Sequence, residues 1–204
     1  MRPGAGVFIG AFVPANLILP ALTFPGDIDL LVIPYEGDEL IPSRAIAIEI
    51  KIVRARFDDQ GKSPNQFGFS QARALLSAGF PYAAVGHLII CDDSPRSSWS
   101  SILKTQVIDA NSGRVREPWP VLADLLPMRL IQRSFGRLKA IPNRMSLGFF
   151  ATHVGKVRWN PSGRKAIRNP AMSLEMINAI RNYYELYADR FLDAPKYNYP
   201  RGAP

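Results

Sequence analysis

The sequence predicts an α/β protein with a mixed sheet flanked by helices, and three observations carry that expectation. Residues 26–53 read as two apolar strands joined by a polar turn, residues 82–91 as a further apolar strand, and a helical repeat lies between them. The order strand, turn, strand, helix, strand puts an antiparallel pair beside a crossover, which gives a sheet of mixed direction.

The first stretch, residues 5–24, is uncharged and largely apolar. A spanning helix needs about 20 predominantly apolar residues, and here Pro14 and Pro20 interrupt the run. A buried N-terminal segment without a membrane role is therefore expected. Gly4, Gly6 and Gly10 lack the spacing of a dinucleotide loop, and no strand precedes them.

In residues 26–53 the even positions are apolar: Ile28, Leu30 and Val32, then Ile46, Ile48, Ile50 and Ile52. Period-two alternation marks half-buried strands, and the isoleucine face is the expected core. Asp27, Asp29, Glu49 and Lys51 fall on the opposite face. The polar stretch Glu36-Gly37-Asp38-Glu39 supplies the turn. A hairpin closed there sets Asp29 across from Glu49 and Lys51, gathering two carboxylates and an ammonium at its open end. Two carboxylates with a backbone carbonyl form a hard oxygen site suited to Mg²⁺. An E-x-K tripeptide alone is common and usually a solvated strand face; the conjunction with GDIDLLV and an isoleucine-rich strand is far rarer.

On these residues the chain resembles the PD-(D/E)xK nuclease superfamily. Pro25-Gly26-Asp27-Ile28-Asp29 matches its first motif and Glu49-Ile50-Lys51 its E-x-K. The resemblance covers residues 25–93 and implies a restriction-endonuclease-like fold. It also implies that Asp29 and Glu49, helped by the Ile50 carbonyl, hold Mg²⁺ or Mn²⁺, and that Lys51 is catalytic. Asp27 competes with Asp29 for the first role. The superfamily's opening helix often bears a glutamate, whereas this chain has no acidic residue before Asp27.

Ser63-Pro64 suits the start of a helix, with Phe67, Gln71, Ala74, Leu75 and Ala78 at helical spacing and Gly79 ending it. Gln66 and Gln71 lie on it. Gln71 resembles the glutamine that several exonuclease branches place near the metal, although Leu75 stands where their tyrosine would be. A solvated glutamine is the alternative. His87, inside the apolar run 82–91, reads as a satisfied structural histidine. Asp92 and Asp93 read as caps before a short helix near residues 98–105.

The second half carries no catalytic motif and is distinguished by charge. From residue 129 to 168 it holds Arg129, Arg133, Arg137, Lys139, Arg144, Lys156, Arg158, Arg164, Lys165 and Arg168, with no Asp or Glu. Arg129, Arg133 and Arg137 recur every fourth residue and align on one helical face. Such a run is often only a solvated face, but its length without a carboxylate favours phosphate contact. Trp159 and Phe149-Phe150 lie among these cations, with core packing the first expectation and base stacking the second. Ser173 should cap a helix reaching about residue 192, with Leu174, Ile177, Ile180, Tyr184 and Tyr187 as its apolar face, before an extended end from Pro195.

Two regions are expected: residues 1–105 as a nuclease core and 106–204 as a basic α/β extension packed on it. The formal net charge of +8 favours a polyanionic partner. A single cysteine, Cys91, excludes an internal disulfide framework and fits a reducing cytosol, with nucleoid association if the source is prokaryotic. The expected activity is Mg²⁺-dependent hydrolysis of phosphodiesters, in DNA first. The alternatives are the same fold binding nucleic acid or a nucleoprotein without turnover, and an assembly in which the apolar N-terminus and C-terminal helix form a homodimer.

Overall fold

The computed structural model describes residues 4–20, 26–60, 67–140, 146–155 and 161–196. Its first element is a strand, β1 (Ala5–Pro14), followed by a single turn of helix, α1 (Ala15–Ile18). The first half of the apolar N-terminal run is thus a sheet strand. β2 (Asp27–Glu36) returns antiparallel to β1, and Gly37-Asp38 turns the chain into the short β3 (Glu39–Leu40). β4 (Ile46–Ala55) then pairs antiparallel with β2, as the turn chemistry predicts. After α2 (Phe69–Ser77), β5 (Tyr82–Cys91) lies parallel to β4 over its whole length.

A two-stranded arm follows, built from β6 (Ser100–Lys104) with β9 (Trp119–Ala123) and β7 (Val107–Asp109) with β8 (Arg114–Val115). The helix expected near residues 98–105 is a strand, because Ser100–Lys104 finds a complete partner in Trp119–Ala123. Asp92 and Asp93 do not cap it; Asp124 takes the capping work at the arm's base. Its carboxylate accepts from Ser94 N, Ser94 Oγ and Leu126 N, the last at the start of α3 (Leu126–Lys139).

β10 (Gly148–His153) adds parallel to β5, and β11 (Ser162–Arg164) closes that edge. Ser173 caps α4 (Leu174–Leu186) by accepting from Met176 N at 3.0 Å, as its sequence predicts. The helix is shorter than expected: a 3-10 turn over Ala188–Arg190 follows it, and the chain then enters β12 (Phe191–Pro195), which pairs with β1. The main sheet therefore runs β11-β10-β5-β4-β2-β1-β12 and draws strands from both halves of the chain. Among the described residues no helix is long and apolar enough to cross a membrane.

The core lies on one face of this sheet. Leu31, Ile33, Ala47, Ala83, Val85 and Phe149 pack with Leu75, Leu138, Met176 and Ile180 from the helices. Val53, Ile89 and Ala151 pack with Leu126, Leu130 and Ile131. In β4 the buried set is Ala47, Glu49, Val53 and Ala55, while Ile46, Ile48 and Ile50 are half-buried and Ile52 is exposed. The isoleucine face is not the core. Helices approach this sheet over its alanine and valine positions, where small side chains permit close contact, and the acidic face predicted to look away lies beneath them.

Candidate active site

β2 and β4 pair through Leu30↔Ile48, Leu31↔Ala47 and Val32↔Ile46, and then fork. Asp29 fills the fork. Its Oδ2 accepts the Ile50 N–H at 2.6 Å, taking the place of a ladder partner. In an antiparallel ladder a residue's N–H and C=O face the same neighbour, so the Ile50 carbonyl looks into this gap too. Asp27 is exposed at the strand's start, and it is Asp29 that meets β4. Pro25 lies outside the described residues.

Glu49 and Lys51 share a face of β4, two residues apart. Glu49 is 3% exposed. Lys51 Nζ donates to Glu49 Oε1 at 2.7 Å and to Gln71 Oε1 at 2.9 Å. Burial holds the Glu49 carboxyl above its ordinary range; the Lys51 hydrogen bond pulls it down, and the nearby Asp29 charge pushes it up again. Asp29, Glu49, Lys51 and Gln71 thus form one cluster, and Gln71, whose reading as a solvated side chain was open, faces inward to hold the ammonium.

Two features of this site were not legible as functional. The described helix begins at Phe69 behind an N-cap at Gly68, and Ser63-Pro64 and Gln66 lie outside the described residues. Gly68 has φ +80°, and a Cβ there would stand 3.0 Å from Glu49 Cγ and 3.2 Å from Val85 Cγ1. The backbone lies directly over Glu49 and Lys51, and its left-handed φ with these tight contacts makes any side chain there strained. The signal was Gly68 between Phe67 and Phe69, a glycine inside the first turn of the expected helical repeat.

His87 is the second feature. It sits opposite Lys51 on β5 and is fully buried. Nδ1 lies 2.6 Å from Ser134 Oγ on α3, Nε2 lies 3.4 Å from the Phe67 carbonyl, and the ring stacks on Phe67. Burial lowers its pKa, and the charges of Arg137 and Lys51 lower it further against the carbonyl's weak pull, so the ring is neutral. With Nε2–H donating to Phe67, Nδ1 accepts from the serine hydroxyl and both nitrogens are satisfied. The structural reading of His87 gains its partners, and those partners tie α3 to the backbone that covers Glu49.

Of the basic residues, Arg129, Arg133, Lys165 and Arg168 are exposed and Arg137 is half-buried beside His87. Arg133 also donates to the Gln60 carbonyl, between β4 and α2. Arg164 is held differently: Nη2 donates to the Leu147 carbonyl at 3.0 Å, and the guanidinium lies 4.5 Å from the Phe149 ring. Phe149 itself is core, as its first reading predicts. Lys156, Arg158, Trp159 and Arg144 lie outside the described residues. The row on α3 therefore reaches the flank of the fork through Arg137.

No family model matches the chain, and no curated protein or solved structure is significantly similar to it. The chemistry must be argued from the donor set. Among the described residues no group of three or more His, Cys, Asp or Glu gathers as a metal cluster. Asp29 and Glu49 supply two carboxylates close enough to repel, with a carbonyl in the same gap and an ammonium already drawn to Glu49. That set fits one hard divalent ion whose remaining ligands are water; it does not fit a protein cage. A wide surface cleft lies at the far end of β2 and is lined by Glu36, Asp38, Glu39 and Glu185 against a single cation, Arg181, a net charge unsuited to a polyanion.

Proposed function

We propose that the chain is a metal-dependent nuclease of the PD-(D/E)xK type, hydrolysing phosphodiester bonds, DNA first. One observation carries the reading: Asp29 and Glu49 converge at the β2–β4 fork while Lys51 is fixed between Glu49 and Gln71. Asp29, Glu49 and the Ile50 carbonyl would hold Mg²⁺ or Mn²⁺, which when bound polarises a phosphoryl oxygen and lowers the pKa of water. Lys51 brings a positive charge whose position Gln71 sets, aimed where negative charge develops on phosphate. The half-exposed rim of the site and the α3 arginines leave room for a phosphate backbone on that side.

A binding module without turnover is the second reading, favoured by the small acidic set and by an ammonium already neutralising Glu49. Incubating supercoiled plasmid with Mg²⁺ or Mn²⁺ separates the two. Nicking is expected from the wild-type chain and abolished in Glu49→Ala. Lys51→Ala should lose about 10²–10³ in rate, the usual cost of one such electrostatic contact. Lys51→Arg should rescue poorly, because a planar guanidinium cannot take the ammonium's place between two acceptors. Salt-sensitive DNA binding with no nicking in either metal would select the second reading.

A further inference from the structure

We infer that this protein self-associates through the bare face of its main sheet, two copies packing sheet to sheet about a two-fold axis. The face is defined by register. Val32 pairs with Ile46, Ile50 stands opposite Gly86 and Phe150, and Ile52 stands opposite Leu88. Directly opposed residues share a face, so these side chains, with Ile48, form one apolar surface across the central strands. None of them belongs to either core cluster. Ile52 is 51% exposed and Leu192, beside Ile9 at the far edge, 67%. The described helices all pack on the opposite side. Gly86 lets the Phe150 ring lie flat over β5, since a Cβ there would stand 2.4 Å from Phe150 Cζ and 2.7 Å from Ile50 Cδ1. The surface is thereby level enough to meet another sheet.

Size and charge choose a second copy as the occupant. Six strands at roughly 4.8 Å by six or seven residues at about 3.3 Å give about 600 Å² per copy. Two such faces bury about 1,200 Å², where stable interfaces of standard size begin, and monomers rarely leave so large an apolar patch open. Among the described strand residues of this face charge gathers at the two ends, and Lys165 borders Ile46 and Ile48 at the β11 edge. Glu36 and its β3 partner Glu39, both exposed, outnumber Arg44, which holds Glu36 at 3.2 Å, so that end of β2 is net negative. Exposed Arg54 lies near the end of β4 at the other. A two-fold axis lying across the strands turns the copies head to tail, so the Glu36 end of each faces the Arg54 end of its partner. An isologous contact of this kind is the commonest way soluble chains associate. The face opposite carries Glu49 and Lys51, so the contact leaves their side chains untouched.

Sedimentation of the full chain tests this without reference to any activity. At tens of micromolar the wild-type chain should run at twice its formula mass. Ile52→Glu should raise the dissociation constant at least tenfold while leaving the circular dichroism spectrum unchanged. Arg54→Glu should weaken the dimer, and Glu36→Lys with Arg54→Glu should restore it. Leu122→Glu, on the exposed arm, should have no effect and serves as the control. A wild-type chain that sediments as one copy, as it would if a different protein covered this face, overturns the inference. So does a dimer indifferent to Ile52→Glu, or one that Leu122→Glu dissociates equally.

Discussion

At Gly68 a single hydrogen atom separates a working cover from a clash. Its left-handed backbone costs an alanine about 1–2 kcal/mol, and the new methyl would press on Glu49 Cγ at 3.0 Å. Gly68→Ala should therefore lower the melting temperature and cut nicking more than that loss explains, because it displaces Glu49 from Lys51. Equal nicking by Gly68→Ala and wild type would remove the cover from the mechanism. Glu49 makes a second prediction. Its folded-state pKa lies above the ordinary 4.5, chiefly through burial, so within that window the folded chain keeps a proton that the unfolded chain has lost. Metal-free stability is then fully present below the ordinary value and falls as pH rises through the raised one. Divalent affinity runs the opposite way, rising over the same window as the proton leaves. Thermal melts and Mn²⁺ titrations across that range should show both slopes, and Glu49→Gln should flatten both. The pairing of Asp29 with Glu49 and Lys51 was legible because strand alternation and turn length fix it. His87 is the satisfied histidine its sequence predicts, but its partners Ser134 and Phe67, like the fit of Gly68 over Glu49, were not legible because they come from distant elements.

Among the elements, α3 joins charge to the site. Its first apolar turns bury Leu126, Leu130 and Ile131, leaving Arg129 and Arg133 in solvent. The four-residue spacing predicted that division, and an amphipathic helix requires it. Arg164 shows the limit of counting cations: the same basic run contains a guanidinium that holds the Leu147 carbonyl and covers Phe149. The two kinds of arginine should separate by measurement. Arg129→Glu with Arg133→Glu should weaken DNA binding for all sequences alike, and each lost phosphate contact should reduce the salt slope by about 0.9. Arg164→Leu should appear first in the melting temperature. If Arg164→Leu left stability unchanged and abolished binding, its place would be on the nucleic-acid surface. Residues 98–105 read locally as a short helix because the polar residues before them suggest caps; the strand character of β6 comes from Trp119–Ala123, a partner that local sequence does not announce.

For the whole molecule, the sheet's two faces differ in a way that hydrophobicity alone ranks backwards. Isoleucines line the bare face of β4, and Ala47, Val53 and Ala55 line the packed one, because two layers of helix and sheet meet most closely over small side chains. Alternation told that β4 has two unlike faces; it did not tell which face the helices take, since that depends on Leu75, Leu138, Met176 and Ile180 arriving from three helices. The assignment makes a quantitative prediction. Phe149 is 1% exposed and touches Phe135 of α3, so Phe149→Ala should cost about 3–5 kcal/mol, the range for a buried aromatic. Ile52→Ala should cost about 0.5 kcal/mol or less, as exposed positions do. Both are to be read from urea midpoints at protein concentrations low enough that two copies do not associate. Repeated at higher concentration, the Ile52→Ala deficit should grow while the Phe149→Ala deficit holds, because only the isoleucine face gains burial in a dimer. Equal costs at both positions under dilution would mean that the helices do not define the core's side of this sheet.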